Sequence, residues 1–239
     1  MLKALRSSID AHLVIANGEN AAGGLGITRP TAIAIFDAGV DVITLGNHTF
    51  AKRDVAAYLD EEPNILRPAN YPPGVPGRGW GMFTSSTGER VCVASLMGRT
   101  FMTPIDCPFR TADAIIDEIA GDSRVLIVDM HAEATSEKVA LGWYLDGRAS
   151  AVIGTHTHVQ TSDQRVLPNG TACITDAGMT GVHDSVLGMD VGSVIERFKT
   201  SVTGKFALAE GPARLQGVVI EIDTATGRAA SIERIDVSE

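Results

Sequence analysis

Gly154-Thr155-His156-Thr157-His158 follows an apolar run, Ala149 to Ile153, that reads as a buried strand. Two histidines two positions apart on an extended segment point the same way. Imidazole is the commonest protein ligand for a metal ion, so a His-x-His leaving a strand supplies half of a metal site. Other predicted strands end in similar chemistry. His12 to Ala16 runs into Asn17-Gly18-Glu19-Asn20, Val40 to Leu45 into Gly46-Asn47-His48, and Val125 to Val128 into Asp129-Met130-His131. Four of the six histidines, His48, His131, His156 and His158, therefore stand just after strands. The strand-end edge bears Glu19, Asn20, Asn47, His48, His131, His156 and His158, and a Glu, one or two Asn oxygens and three His nitrogens suit a pair of Fe, Mn or Zn ions. A carboxylate can bridge two ions about 3.5–4 Å apart, and such a pair lowers the pKa of water and neutralises charge on a phosphoryl group. The fourth histidine could then serve as general acid toward a leaving oxygen. Each position taken singly has a plain structural reading: Asn47 and His48 as turn residues, Glu19 and Asn20 as a capping pair, His131 as a satisfied half-buried histidine. Independent turn chemistry does not collect so many ligand types on one edge.

The elements that must position these residues alternate strand and helix through most of the chain. Apolar spacing at Leu2, Leu5 and Ile9 predicts a short N-terminal helix. Thr28 can cap a helix with Pro30 in its first turn, running to Ala38. Further helices are expected around Asp54–Leu59, Thr111–Ala120, Thr135–Leu145 and Val191–Phe198, and further strands at Val91–Leu96 and Ala172–Thr175. Residues 63–81 hold five of the ten prolines and four glycines and read as an ordered loop or small lid. Ala213–Asp223 and Ala229–Val237 read as an antiparallel pair. Alternating strands and helices imply a mostly parallel sheet covered by helices, with ligands held beyond the carboxyl ends of its strands. That edge is the one bearing the histidines.

The bulk composition sets limits. The chain has 239 residues, 44% hydrophobic and 21% charged, enough for one α/β domain with a substantial core. Its formal net charge of -9 argues against a broad nucleic-acid-binding face, while leaving room for a small nucleotide in a metal-charged pocket. Cys92, Cys107 and Cys173 are odd in number and widely spaced, which fits neither a disulfide framework nor a Cys-x-x-Cys zinc site. No apolar stretch approaches the ~20 residues needed to cross a bilayer, and Met1 to Arg6 lacks the features of a signal peptide. The expectation is a reducing, cytoplasmic setting, with a small phosphodiester as partner and neither a stable nucleic-acid complex nor a membrane. A homo-oligomer is left open.

The motifs Asn17-Gly18-Glu19-Asn20, Gly46-Asn47-His48, His131-Ala132-Glu133-Ala134-Thr135-Ser136-Glu137-Lys138 and Gly154-Thr155-His156-Thr157-His158 resemble those of the calcineurin-like metallophosphoesterases, and more narrowly the bacterial YmdB-like phosphodiesterase family. The likeness extends to Arg67-Pro68-Ala69-Asn70-Tyr71-Pro72, Gly98-Arg99-Thr100-Phe101 and Asp176-Ala177-Gly178-Met179-Thr180-Gly181. The resemblance implies a four-layer α/β/β/α sandwich, a di-metal centre, and hydrolysis of phosphodiesters such as 2′,3′-cyclic AMP. It implies that Glu19 bridges the ions, that Asn47, His131 and His156 hold one, that Asn20 and His158 help hold the other, and that His48 is the proton donor.

One departure accompanies it. The family begins with a strand ending in Gly-Asp-Val, whose Asp is a metal ligand, and this chain begins inside what would be the following helix. The expectation is a weakened second ion and a slow or inactive short form, with both recovered in a form extended upstream. A family member that binds metal or nucleotide without catalysis is the alternative reading. A metal hydrolase of the amidohydrolase kind is a third, against which the Gly-Asn-His motif counts.

Overall fold

In the computed structural model, which describes residues 1–202, 204 and 206–239, the expected four layers are present. On one side α1 (Leu2–Ser8), α2 (Arg29–Asp37) and α3 (Val55–Glu61) cover a parallel sheet of β1 (Ile15–Asn17), β2 (Val42–Thr44) and β3 (Ile65–Leu66), in that order. Leu2, Ile35, Phe36, Tyr58 and Leu59 supply the apolar faces that pack on Ile43, Leu45 and Ile65. The facing sheet has six strands. They are β4 (Trp80–Thr84), β5 (Arg90–Met97), β6 (Val125–His131), β7 (Ala151–Thr155), β9 (Ala172–Ile174) and β8 (Arg165–Val166), in that spatial order. Its central strands β5, β6, β7 and β9 are parallel. Their outer face packs on α4 (Pro108–Glu118) and α5 (Thr135–Tyr144) through Ala112, Ile115 and Leu141.

These strands are apolar on both faces, as a sheet covered on both sides requires. Cys92, Ala94, Leu126 and Val128 meet the helices, while Val91, Val93, Val125 and Ile127 turn inward. The inward set meets Ile15, Val42 and Leu66 of the first sheet. A third sheet, β10 (Thr180–Val182), β11 (Ala213–Asp223) and β12 (Arg228–Ser238), is antiparallel and continues the layer, packing Val218, Ile220 and Ile232 on Ala151 and Ile174. The remaining helix, α6 (Val191–Thr200), is capped by the Asp190 side chain. β1 pairs only with β2, so its other edge has no strand partner among the described residues.

Thr28 caps α2 in a reciprocal pair with Thr31, with proline in the first turn, as the sequence predicts. The structure corrects several expected boundaries. The first strand is Ile15–Asn17 rather than His12–Ala16. α4 begins three residues early, at Pro108. β6 does not stop at Val128 but continues through Asp129 to His131. Strands β3, β4, β8 and β10 had no counterpart in the sequence pattern. β3 and the start of β4 lie inside the segment expected to be loop. Two or three residues carry too little alternation to register, and in β4 Gly81 breaks the apolar pattern of the sequence though not the strand. The rest of that segment is tied down by Arg67, whose guanidinium donates to the carbonyls of Pro68, Val75 and Pro76. No helix among the described residues is long and apolar enough to cross a membrane.

Candidate metal centre

Glu19, Asn47, His131 and His156 converge on one point, at the carboxyl ends of β1, β2, β6 and β7. His131 closes β6, and its ring lies between the two sheets. Its Nε2 is 2.8 Å from Asn47 Oδ1, 3.0 Å from His156 Nδ1 and 3.1 Å from Glu19 Oε1. Glu19, His131 and His156 each offer a donor atom, and these atoms all lie within 4.8 Å of one another. Gly46 makes the approach possible, because a Cβ there would stand 2.2 Å from His131 Nε2.

The other expected residues, Asn20, His48 and His158, form a second group beside it. His48 Nδ1 is 2.9 Å from Asn20 Oδ1, and Asn20 Nδ2 is 3.2 Å from His158 Nε2. Glu19 joins the groups, since its Oε2 accepts the His48 backbone N–H at 3.0 Å and its Oε1 is 3.7 Å from His48 Nδ1.

Two observations show that a metal fits these residues. Four buried side-chain atoms lack a hydrogen-bond partner among the described residues, and two of them are Glu19 Oε1 and His158 Nδ1. The 3.1 Å approach of Glu19 Oε1 to His131 lacks hydrogen-bond geometry, so a buried carboxylate oxygen is left aimed among imidazoles. A buried acceptor without a partner costs about 1–3 kcal/mol, which a cation would remove. The charge states agree. Burial works to raise the Glu19 carboxyl, but His131 beside it and the His48 backbone N–H outweigh burial and hold it down at about 2. Burial and the neighbouring His131 push His156 below its ordinary value, keeping it in the neutral form that binds metal.

The strand-exit histidines are not carried on an extended segment. β7 ends at Thr155, and His156 and His158 both have left-handed backbone, with φ of 93° and 64°. Strand alternation therefore does not explain why both reach the site; a strained turn does. Lys138 and Asp176 hold that turn. Asp176 Oδ2 accepts from Thr157 N at 2.9 Å and from Thr157 Oγ1 at 2.7 Å, and Lys138 Nζ lies 3.3 Å from the same oxygen. Gly154 lets the chain pass, because a Cβ there would meet Thr175 O at 1.9 Å.

Sequence reasoning missed a layer of residues behind the ligands. Cross-strand register puts Thr155 opposite His131. Thr155 Oγ1 lies 2.9 Å from His131 Nδ1 and donates to Asp129 Oδ1 at 2.7 Å. Asp129 also accepts from Thr44 Oγ1 at 2.5 Å and Asn17 Nδ2 at 3.0 Å, and Asn17 Oδ1 accepts the Glu19 backbone N–H at 3.2 Å. Burial pushes the Asp129 carboxyl up, against the pull of His131 and of these donors. One buried carboxyl group thus orients His131 of one sheet and, through Asn17, Glu19 of the other, an arrangement of the kind that supports metal ligands. Its signal was a lone Asp inside the apolar run Val125 to Met130. Glu133 plays the same part for His156, with its Oε2 3.0 Å from Nε2. Glu137 accepts the backbone N–H groups of Arg99 and Thr100, which fixes the loop after β5. The run His131 to Lys138 therefore contributes His131 to the cluster, Glu133 to the support of His156, Lys138 to the turn after β7 and Glu137 to the loop after β5.

A family model described as YmdB-like protein matches residues 1–235. The chain belongs to the YmdB-like family. Relatives of this family cover nearly all of it. The 2′,3′-cyclic-nucleotide 2′-phosphodiesterase of Bacillus subtilis (strain 168) is 51% identical over 235 residues, covering 98% of this chain and 89% of the relative. A hypothetical protein of Thermus thermophilus with a solved crystal structure superposes with a TM-score of 0.93 at 44% identity, covering 100% of this chain and 91% of that one. A crystal structure described as a novel phosphatase, from Mycoplasma pneumoniae, superposes with a TM-score of 0.91 at 34% identity, covering 99% and 86%.

Proposed function

We propose that this YmdB-like chain is a metal-dependent phosphodiesterase acting on small cyclic nucleotides of the 2′,3′-cyclic AMP kind. The observation that carries the proposal is the orphaned Glu19 Oε1, buried among the nitrogens of His131 and His156 and the amide oxygen of Asn47. The activity named for the Bacillus relative supports the reaction class. Glu19, Asn47, His131 and His156 would hold one ion; Glu19, Asn20 and His158 would hold a second, with iron, manganese or zinc suited to this donor mix. Bound there, the ions supply Lewis acidity toward a phosphoryl oxygen and a lowered pKa for water.

The protein's own groups do the rest. Hydrolysis adds water at phosphorus, breaks the bond to a ribose oxygen, and requires a proton on that oxygen as it leaves. We assign that proton to His48. Its side chain is one-third exposed, Asn20 Oδ1 and Glu19 engage Nδ1, and Nε2 has no protein partner among the described residues. A reducing, cytoplasmic setting fits the three unpaired cysteines.

His48→Ala tests the assignment. The variant keeps its metal content but loses about 10²–10⁴-fold in turnover of 2′,3′-cyclic AMP, while an ester with a good leaving group loses much less. Wild-type turnover of the cyclic nucleotide by His48→Ala would remove His48 from the role.

A further inference from the structure

Two aromatic side chains meet, Tyr71 and Phe50, the latter two residues along the chain from His48. Phe50 leaves the turn that carries Asn47 and His48, in which Thr49 N and Oγ1 both donate to Gly46 O, at 3.2 and 2.7 Å. Tyr71 arrives from the other side, on the segment after β3. Its neighbour Asn70 is fully buried and clamps the end of β5, donating to Met97 O at 2.7 Å and accepting from Met97 N at 2.9 Å. Met97 stands in register with His131. Phe50 is thus one residue from a hydrogen-bonded turn that follows β2, and Tyr71 one residue from a clamp on the end of β5, the strand beside β6. Their rings pair edge to face, with centroids 5.6 Å apart at 86°. Phe50 remains 37% exposed. Burial raises the Tyr71 phenol, with the charge of Glu19 adding to it and Arg67 opposing it.

We propose that Phe50 and Tyr71 form a wall that receives the nucleobase of a nucleoside cyclic phosphate whose phosphate lies at His48; the proposal rests on the phosphodiesterase reading above. An edge-to-face pair leaves a ring face open for a further aromatic partner. Every nucleobase has a flat π face, so such a wall favours nucleosides over base-free esters without selecting one base.

The test compares 2′,3′-cyclic AMP with glycerol 1,2-cyclic phosphate, which has no base, in wild type, Phe50→Leu, Tyr71→Leu and Tyr71→Phe. The leucine variants keep apolar volume and remove the π face. Each raises KM for the nucleotide about tenfold and lowers the nucleotide-to-glycerol ratio of kcat/KM by the same factor, while Tyr71→Phe keeps the ratio. A structural role would move melting temperature and both substrates together. Equal losses on the two substrates overturn the wall and leave the phosphodiesterase reading standing. Failure of metal-loaded wild type to hydrolyse either substrate overturns both.

Discussion

His131 is held at both ring nitrogens, and the two contacts have different consequences. Nε2 faces Glu19, Asn47 and His156, while Nδ1 is fixed through Thr155 to Asp129. Thr155→Val removes the hydroxyl at little change in volume, and metal affinity should fall about 10–100-fold, read by calorimetric titration of the metal-free protein. His156→Ala removes one imidazole of the cluster outright and should lower metal occupancy as well as rate; full stoichiometric metal in that variant would strike His156 from the proposed ligand set. The ligand-type residues were legible because histidine, glutamate and asparagine at strand ends stand out against apolar strands. Asp129 and Thr155 were not, because their role depends on cross-strand register, which composition along one strand does not contain. Asn20 links the two histidines of the second group, with its amide oxygen toward His48 and its nitrogen toward His158.

At the scale of elements, the turn after β7 is what brings His156 to His131 and His158 to Asn20, and its strained backbone persists because Lys138 and Asp176 hold it. Their side chains are 3% and 1% exposed. Removing one partner of a buried pair leaves the other uncompensated, so Lys138→Ala should lose about 3–5 kcal/mol of stability and bind metal more weakly. Urea unfolding and a metal titration on the same preparation check both parts. A variant that keeps wild-type stability would separate the pair from the turn. Helices and long strands were readable from their periodicity, including the capped start of α2. The turn was misread as extended because the alternation rule holds only while the strand lasts, and β7 ends one residue before His156.

The whole molecule places the ends of two different sheets against each other, and Glu19 of one stands among the histidines of the other. Its carboxyl, held at about 2 against an ordinary 4.5, links the site to global stability. A depressed carboxyl stabilises the fold fully above its unfolded value and loses that contribution as pH falls through its folded value. The metal-free protein should therefore lose on the order of 3 kcal/mol between pH 4.5 and 2 through this group. Glu19→Gln should show a shallower acid limb in denaturant titrations at stepped pH, and identical limbs would contradict the assigned charge. The order of strands and helices pointed to a mostly parallel sheet covered by helices, and the four layers were legible only through the family resemblance, because the pairing of sheets rests on strands as short as two residues. The central claim is that this junction is a metal centre that drives ester hydrolysis. Chelation of the purified protein followed by stepwise return of manganese, with hydrolysis of 2′,3′-cyclic AMP followed in wild type and His131→Ala, tests it most directly. The account predicts that wild-type activity vanishes on chelation, returns with metal, and does not return in His131→Ala; undiminished hydrolysis by the chelated wild type would contradict it.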